Sequence, residues 1–281
     1  MQKTTSCPSS QAPIAFIGGG NMARALIGGL VARGISAHTI RVAEPVESSR
    51  DALVADFGVA AFAAAADAVR DADTWLFAIK PQVMRKVCAD LSTTAQMARP
   101  LVVSIAAGIT SNQLDHWLGG KLSVIRAMPN TPALLGEGVT GLFANAATSA
   151  VQRGAAQALL ASAGATVWIE DEALMDAVTA VSGSGPAYVF LLAEAMQSAG
   201  EAQGLPAPVA RLLAQQTLLG ASQMLIHDDA DAAGLRRRVT SPGGTTQAAI
   251  ESLQAGGFEQ LIATAIAAAT ERGRALAQAN D

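Results

Sequence analysis

Short apolar runs alternate with amphipathic stretches along the first half of the chain. Residues 14–17 are apolar and lie between Pro13 and a glycine cluster, a pattern that predicts a buried strand. Residues 21–33 have a helical period and stop at Gly34. A second strand is predicted at 39–43 and a second helix at 48–57, ended by Gly58. Further strands are predicted at 74–79, stopped by Lys80-Pro81, at 101–105, and at 122–127, ended by Met128-Pro129. Residues 139–143 and 165–168 read as edge strands. Strands alternating with helices argue for a mostly parallel sheet covered on both faces.

After about Glu170 the pattern changes and no strand is expected. Residues 175–181 have a helical period. Residues 186–203 are apolar almost all round, as suits a helix buried in a core or an oligomer interface, and Pro186 fits a first helical turn. Helices follow at 207–226, 246–255 and 258–277.

Composition narrows the function classes. The chain has 281 residues, enough for two domains, and 51% hydrophobic against 15% charged residues describes a globular protein. The net charge is −4 and the basic run is confined to Arg236-Arg237-Arg238, so no nucleic-acid partner is expected. Cys7 and Cys88 form neither a disulfide framework nor a CxxC site, and His38, His116 and His227 lack metal-ligand spacing, so no metal is expected. No apolar run reaches the ~18 residues of a membrane span. Residues 1–13 are polar and lack an apolar core, which reads as a loose tail rather than a secretory signal, so the expected compartment is the cytoplasm.

The chemistry sits in small-residue motifs. IGGGNMA places Gly18, Gly20 and Ala23 as G-x-G-x-x-A between a predicted strand and a predicted helix, the context of a dinucleotide-binding turn. Gly18 would make the turn, Gly20 would let the backbone approach a pyrophosphate, and Ala23 would keep the helix close to the sheet. Glu44 follows at the interval of a ribose-reading acid, which favours NAD, yet Ser48, Ser49 and Arg50 come next and suit the 2′-phosphate of NADP. The two signals conflict. The loops AIKPQ (78–82), IAAGI (105–109) and AMPNTPA (127–133) follow predicted strands and converge on the sheet's carboxyl edge, where open α/β sheets bind ligands. Asn130 and Thr131 offer an amide and a hydroxyl there.

SGSGPAY (182–188) and VTSPGGTT (239–246) lead into helices of the second half. Gly243 and Gly244 can take positive φ, expected at Gly244 in particular, and aim N–H groups at a carboxylate or phosphate. One of Thr245 and Thr246 is expected to cap the helix, leaving the other to face a ligand. No histidine, cysteine or paired-carboxylate arrangement supports nucleophilic or metal chemistry. A dinucleotide, an anion nest and few ionisable groups suit hydride transfer, where the cofactor does the hard step.

In order, IGGGNMA, IKPQ, VSIAAGI, RAMPNTPA, AVSGSGPAY and VTSPGGTT resemble the pyrroline-5-carboxylate reductase family, over about 14–276. The resemblance implies reduction of Δ1-pyrroline-5-carboxylate to L-proline, with NADPH more often preferred and NADH usable. It implies an α/β fold: an N-terminal Rossmann dinucleotide-binding domain, here 14–168, and an all-helical substrate-binding and dimerisation domain, here 169–281. The helical domain would interlock with a second subunit, often within a decamer of such dimers. By position, Gly18, Gly20, Asn21, Met22 and Ala23 would hold the pyrophosphate. Glu44, Ser48 and Arg50 would meet the ribose end. Ala78, Lys80, Pro81, Ala106, Ala107 and Gly108 would hold the nicotinamide half, and Asn130 is a further candidate for cofactor binding. Ser241, Gly243, Gly244, Thr245 and Thr246 would form the substrate site, with Thr246 as partner of the imine nitrogen. Where the family often carries an asparagine that touches the ribose, this chain has alanines, around Ala65. A β-hydroxyacid dehydrogenase shares the architecture but would use a lysine base in the helical domain, whereas the lysines are Lys3, Lys80, Lys86 and Lys121. A non-catalytic dinucleotide-binding protein would keep IGGGNMA without reason to keep SPGGTT.

Overall fold

Residues buried on alternate faces need cover on both, and the first half of the chain supplies it. A computed structural model describes residues 13–279; except for Pro13, the polar N-terminal tail lies outside the described residues. The expected strands form as β1 (Ile14–Ile17), β2 (Ile40–Ala43), β4 (Thr74–Phe77), β5 (Leu101–Ser104), β6 (Ser123–Met128), β7 (Gly138–Ala144) and β8 (Gly164–Trp168). A short strand that the pattern does not predict, β3 (Ala60–Phe62), extends one edge. The sheet order is β3-β2-β1-β4-β5-β6-β7-β8, parallel throughout except for the antiparallel β6–β7 pair.

Successive strand residues point to opposite faces, so each apolar run feeds two cores. Phe16, Val42, Leu76, Val103 and Ile125 pack on one face with Leu26, Ile27 and Leu30 of α1 (Asn21–Ala32), Leu53 of α2 (Glu47–Phe57) and Leu159 of α6 (Ala150–Leu160). Ala15, Ile17, Trp75, Phe77, Val102 and Val124 face the other way. There they meet Met84, Cys88 and Leu91 of α4 (Pro81–Ala98) and Leu114 of α5 (Ser111–Trp117). Capping boxes set the starts of two of these helices: Thr110 with Gln113, and Ser149 with Gln152. The four-residue α3 (Ala65–Ala68) links β3 to β4.

From Met175 onward the described residues form no strand. α7 (Met175–Val178) runs into a π-helical turn, Thr179–Gly183, followed by α8 (Gly185–Ala202), α9 (Ala207–His227), α10 (Ala232–Arg238), α11 (Thr245–Ala255) and α12 (Phe258–Ala279). One compact unit runs to Gly183 and takes back the chain from Ala269. The other is Ser184–Ala268. Within the first unit, the end of α12 packs closely: a Cβ on Gly108 would lie 3.1 Å from Leu276 Cβ, and Gln113 Nε2 donates to the Ala277 carbonyl at 3.1 Å.

The second unit buries little. Ala210, Ala214 and Leu235 are its buried apolar residues, while Phe190 and Leu191 on α8 are 66% and 65% exposed. The helix expected to be apolar all round does form, but the single chain leaves it uncovered. An apolar face of this extent marks an association surface.

Candidate functional site

Three glycines join β1 to α1, and each has a different physical reason. Gly18 has φ +104°, and its N–H donates to the Ala43 carbonyl at 2.8 Å. A Cβ there would lie 2.6 Å from the Ala78 carbonyl oxygen, so only glycine fits. Gly19 N–H donates to Glu44 Oε2 at 3.1 Å. Gly20 is the exposed N-cap of α1, no side chain caps it, and a Cβ added there meets nothing within 4 Å. Asn21 and Met22 open the helix, and the fully buried Ala23 holds it to the sheet. The turn lies where the strand order reverses, between β1 and β4. Open space above uncapped helix N–H groups, at the positive end of the dipole, fits a pyrophosphate.

The ribose end differs from expectation in detail. The Glu44 carboxylate is engaged by backbone on both oxygens, since Oε1 accepts the Val46 N–H at 3.0 Å. It staples the glycine turn to the end of β2. Arg50 folds back, its Nη1 donating to the Glu44 and Pro45 carbonyls at 2.9 and 2.8 Å. Ser48 is exposed in the first turn of α2, beside Glu47.

The loops at the carboxyl edge are also braced. Lys80 is the exposed N-cap of α4 and Pro81 its first residue, where the missing N–H costs nothing. The buried Ser104 hydroxyl accepts the Ala106 N–H at 3.3 Å, and Gly108, two residues after Ala106 and one after Ala107, has φ +68°. Asn130 is 9% exposed. Its Nδ2 donates to the Ser182 carbonyl at 3.1 Å and its Oδ1 accepts the Val139 N–H at 2.9 Å. The amide thus ties the MPNTP loop to the SGSG segment, a brace that the sequence reading did not foresee. Ser182 and Gly183 close the π-helical turn Thr179–Gly183; π-bulges concentrate at functional sites. A Cβ on Gly183 would come 2.6 Å from Met128 Cε.

In the second unit, SPGGTT makes a turn into α11. The positive φ belongs to Gly243, at +70°; Gly244 has an ordinary φ of −85°, contrary to expectation. Gly244 is restricted instead by space, because a Cβ there would lie 3.1 Å from the Ser241 carbonyl oxygen. Neither threonine caps the helix: the N-cap is Gly244, which has no side chain, and Thr245 and Thr246 are the first two helical residues. Gly244 N–H donates to the Ser241 carbonyl at 3.0 Å, and Gly243 N–H to Gln247 Oε1 at 2.7 Å. Gln247 Nε2 in turn donates to Glu251 Oε1 at 2.7 Å. The helical ladder begins with Ala248 N–H on the Gly244 carbonyl, which leaves the Thr245, Thr246 and Gln247 N–H groups as the helix's open donors. Beside the turn is a cavity of about 440 Å³ lined partly by Arg236, Arg237, Thr240 and Gln247.

One buried cluster has a sequence signal that went unused. Arg126 is the single charge in the strand SVIRAM, and its guanidinium meets Glu172 and Asp176. Cys88 is a buried free thiol whose pKa desolvation pushes up to about 12, so it is no nucleophile. Among the described residues no group of His, Cys, Asp and Glu is arranged to hold a metal, and no helix is long and apolar enough to cross a membrane.

A family model for pyrroline-5-carboxylate reductase dimerisation matches residues 172–276, and one for NADP oxidoreductase, coenzyme F420-dependent, matches 13–108. The chain is 51% identical over 265 residues to the pyrroline-5-carboxylate reductase of Pseudomonas aeruginosa, which covers 94% of this chain and 97% of the relative. The chain belongs to the pyrroline-5-carboxylate reductase family. Among solved structures, the pyrroline-5-carboxylate reductase of Coxiella burnetii superposes with a TM-score of 0.91 at 38% identity, covering 95% of this chain and 99% of that one. The Plasmodium falciparum enzyme, solved with NADP bound, gives a TM-score of 0.84 at 27% identity over 95% of this chain and 98% of its own. Ala65 opens α3 and packs against the second core, so a methyl group stands near the place where the family often carries a ribose-touching asparagine.

Proposed function

We propose that this chain reduces Δ1-pyrroline-5-carboxylate to L-proline with NADPH, NADH being a usable substitute, as the final step of proline synthesis. The observation that carries this reading is the SPGGTT turn: an uncapped helix start, two threonines free of capping duty, and a preceding glycine in the left-handed region. A chain that only bound a dinucleotide would have no use for it. A β-hydroxyacid dehydrogenase would need a lysine in the helical region, and the chain has none beyond Lys121.

The chain's residues divide the work. Gly20, Asn21 and Met22, at the open start of α1, hold the pyrophosphate through backbone N–H groups. Ser48 and the start of α2 receive the 2′-phosphate, with Arg50 adding positive charge. Glu44 keeps the glycine turn in place. The Ala78, Lys80-Pro81 and Ala106–Gly108 backbones shape the nicotinamide half, and Asn130 braces that edge. When bound, the reduced nicotinamide supplies a hydride to the imine carbon. The Thr245 and Thr246 N–H groups and the α11 dipole receive the substrate carboxylate, with Ser241, Gly243 and Gly244 setting the turn. The Thr246 hydroxyl hydrogen-bonds the ring nitrogen. Threonine is a poor free acid, so its contribution is orientation, and the proton reaches the nitrogen through this hydroxyl or a water it holds.

Functionally we divide the chain into a cofactor-binding part, 14–168, and a helical part, 169–281, for substrate and dimerisation; the dimerisation model's match from residue 172 supports this. The uncovered α8 face supports an obligate dimer, and a decamer of dimers is the larger assembly we assign. The buried free thiol fits a reducing compartment, and we assign the cytoplasm. The test is direct. Purified protein with NADPH and Δ1-pyrroline-5-carboxylate should consume the reduced cofactor and yield proline. Cofactor binding without consumption would overturn the reading.

A further inference from the structure

Arg126 is the one charged residue of an inner strand that is apolar at Val124, Ile125, Ala127 and Met128, and it is 4% exposed. Nη1 lies 3.4 Å from Glu172 Oε1 and Nη2 lies 3.3 Å from Asp176 Oδ1. Glu172 also accepts the Ser111 N–H at 2.7 Å and the Ser111 hydroxyl at 2.6 Å. A Cβ on Gly273 would come within 3.2 Å of Asp176, so the end of α12 closes over the cluster. Desolvating three charges is costly, and a well-packed apolar cluster commonly serves stability as well or better. What an apolar cluster lacks is direction.

Direction is what this one has. Ser111 follows directly on the loop that carries Ala106, Ala107 and Gly108. Arg126 is two residues before Met128-Pro129-Asn130. Asp176 lies on α7, which runs into the π-helical turn Thr179–Gly183, and Asn130 reaches back to the Ser182 carbonyl at 3.1 Å. Arg126, Asp176, Ser182 and Asn130 therefore form a closed circuit, with Glu172 and Ser111 as a branch into a third loop. The geometry points to Arg126 as a positioning residue that holds the IAAG loop, the MPNTP loop and the π-helical turn Thr179–Gly183 in one register for the cofactor; this rests on the reading that the two loops bind it. Arg126 touches no reacting atom. It acts through the backbone of three loops.

The test uses the full chain and two readouts that need no substrate: amide hydrogen exchange and NADPH affinity by fluorescence titration. Arg126→Met alone strands the buried Asp176 carboxylate and the half-buried Glu172 carboxylate, so the main variant is Arg126→Met with Glu172→Gln and Asp176→Asn. It should keep native exchange protection in β1 and β4. Exchange in residues 105–110, 128–131 and 179–184 should quicken, and NADPH affinity should fall about tenfold, as loss of positioning predicts. Arg126→Lys, which keeps the charge without the two-pronged bridge, should fall between. A lowered melting temperature with loop exchange and NADPH affinity both unchanged would overturn the inference. If the triple variant does not fold, Ser111→Ala decides by the same readouts, since it removes a single donor and keeps every charge. Wild-type inactivity toward pyrroline-5-carboxylate would sink the substrate assignment while leaving both readouts meaningful.

Discussion

At Gly18 an added Cβ would sit 2.6 Å from a carbonyl oxygen; at Gly243 it would meet nothing within 4 Å. Both glycines have positive φ, and each stands near the start of a helix whose N-terminus no side chain caps. The first turn is locked by close packing, with Ala43 and Ala78 on either side and Glu44 stapling the next peptide. The second is exposed and held by its own backbone, by one Gln247 hydrogen bond and by the tightness of Gly244 against Ser241. A packed turn suits a ligand handle that is the same in every cycle, a pyrophosphate. An open, lightly braced turn suits a substrate that must enter and leave.

That contrast orders the consequences of mutation. Gly18→Ala meets both penalties, about 1–2 kcal/mol for the left-handed backbone and about 1–3 kcal/mol for overpacking. Urea unfolding should register their sum, and NADPH binding should be lost. Gly243→Ala should show only the backbone penalty and leave NADPH affinity intact; equal losses at the two sites would break the comparison. Gly244→Val is next, because its branched side chain must push on Ser241. The Michaelis constant for pyrroline-5-carboxylate should rise about tenfold or more, with the NADPH dissociation constant unmoved. Arg50→Ala should weaken NADPH about tenfold, the worth of one charge-assisted hydrogen bond of ~1.5 kcal/mol, and spare NADH. Equal loss of both cofactors would remove Arg50 from the 2′-phosphate. The smallest effect belongs to Gln247→Leu, which frees one braced N–H. A net hydrogen bond of ~1 kcal/mol predicts a roughly fivefold rise in the substrate's Michaelis constant with turnover kept.

The sheet was legible because its strands are buried on both faces and read as short apolar runs with glycine or proline at their ends. β3 and α3 were not: AAFAAAADA is alanine at nearly every position, which carries no period, and the two elements are three and four residues long. α10 hid behind a basic run, although Asp231, which accepts the Gly234 N–H, was a readable cap. The glycine motifs located both turns, but composition alone could not divide the roles of Gly243 and Gly244, since positive φ and crowding both select glycine. The threonines misled for a related reason. Cap preference is a prior about side chains, and here the N-cap falls on Gly244, one residue earlier than expected. Glu44, Arg50 and Asn130 looked like free ligand groups because sequence spacing does not reveal which backbone groups lie nearby. Arg126 was readable as a charge inside an apolar strand, though its partners, 46 and 50 residues away, were not.

The claim that SPGGTT is a substrate cradle meets its sharpest test in the turnover of Thr246→Ala beside Thr246→Ser, with NADPH affinity and melting temperature measured in parallel. Losing one oriented hydrogen bond of ~1.5–3 kcal/mol predicts that Thr246→Ala turns over about tenfold to a hundredfold more slowly. Thr246→Ser should keep most of the rate, and both variants should bind NADPH as the parent does. Unchanged turnover in Thr246→Ala, with only the melting temperature lowered, would contradict the account and reduce Thr246 to a structural residue at the start of α11.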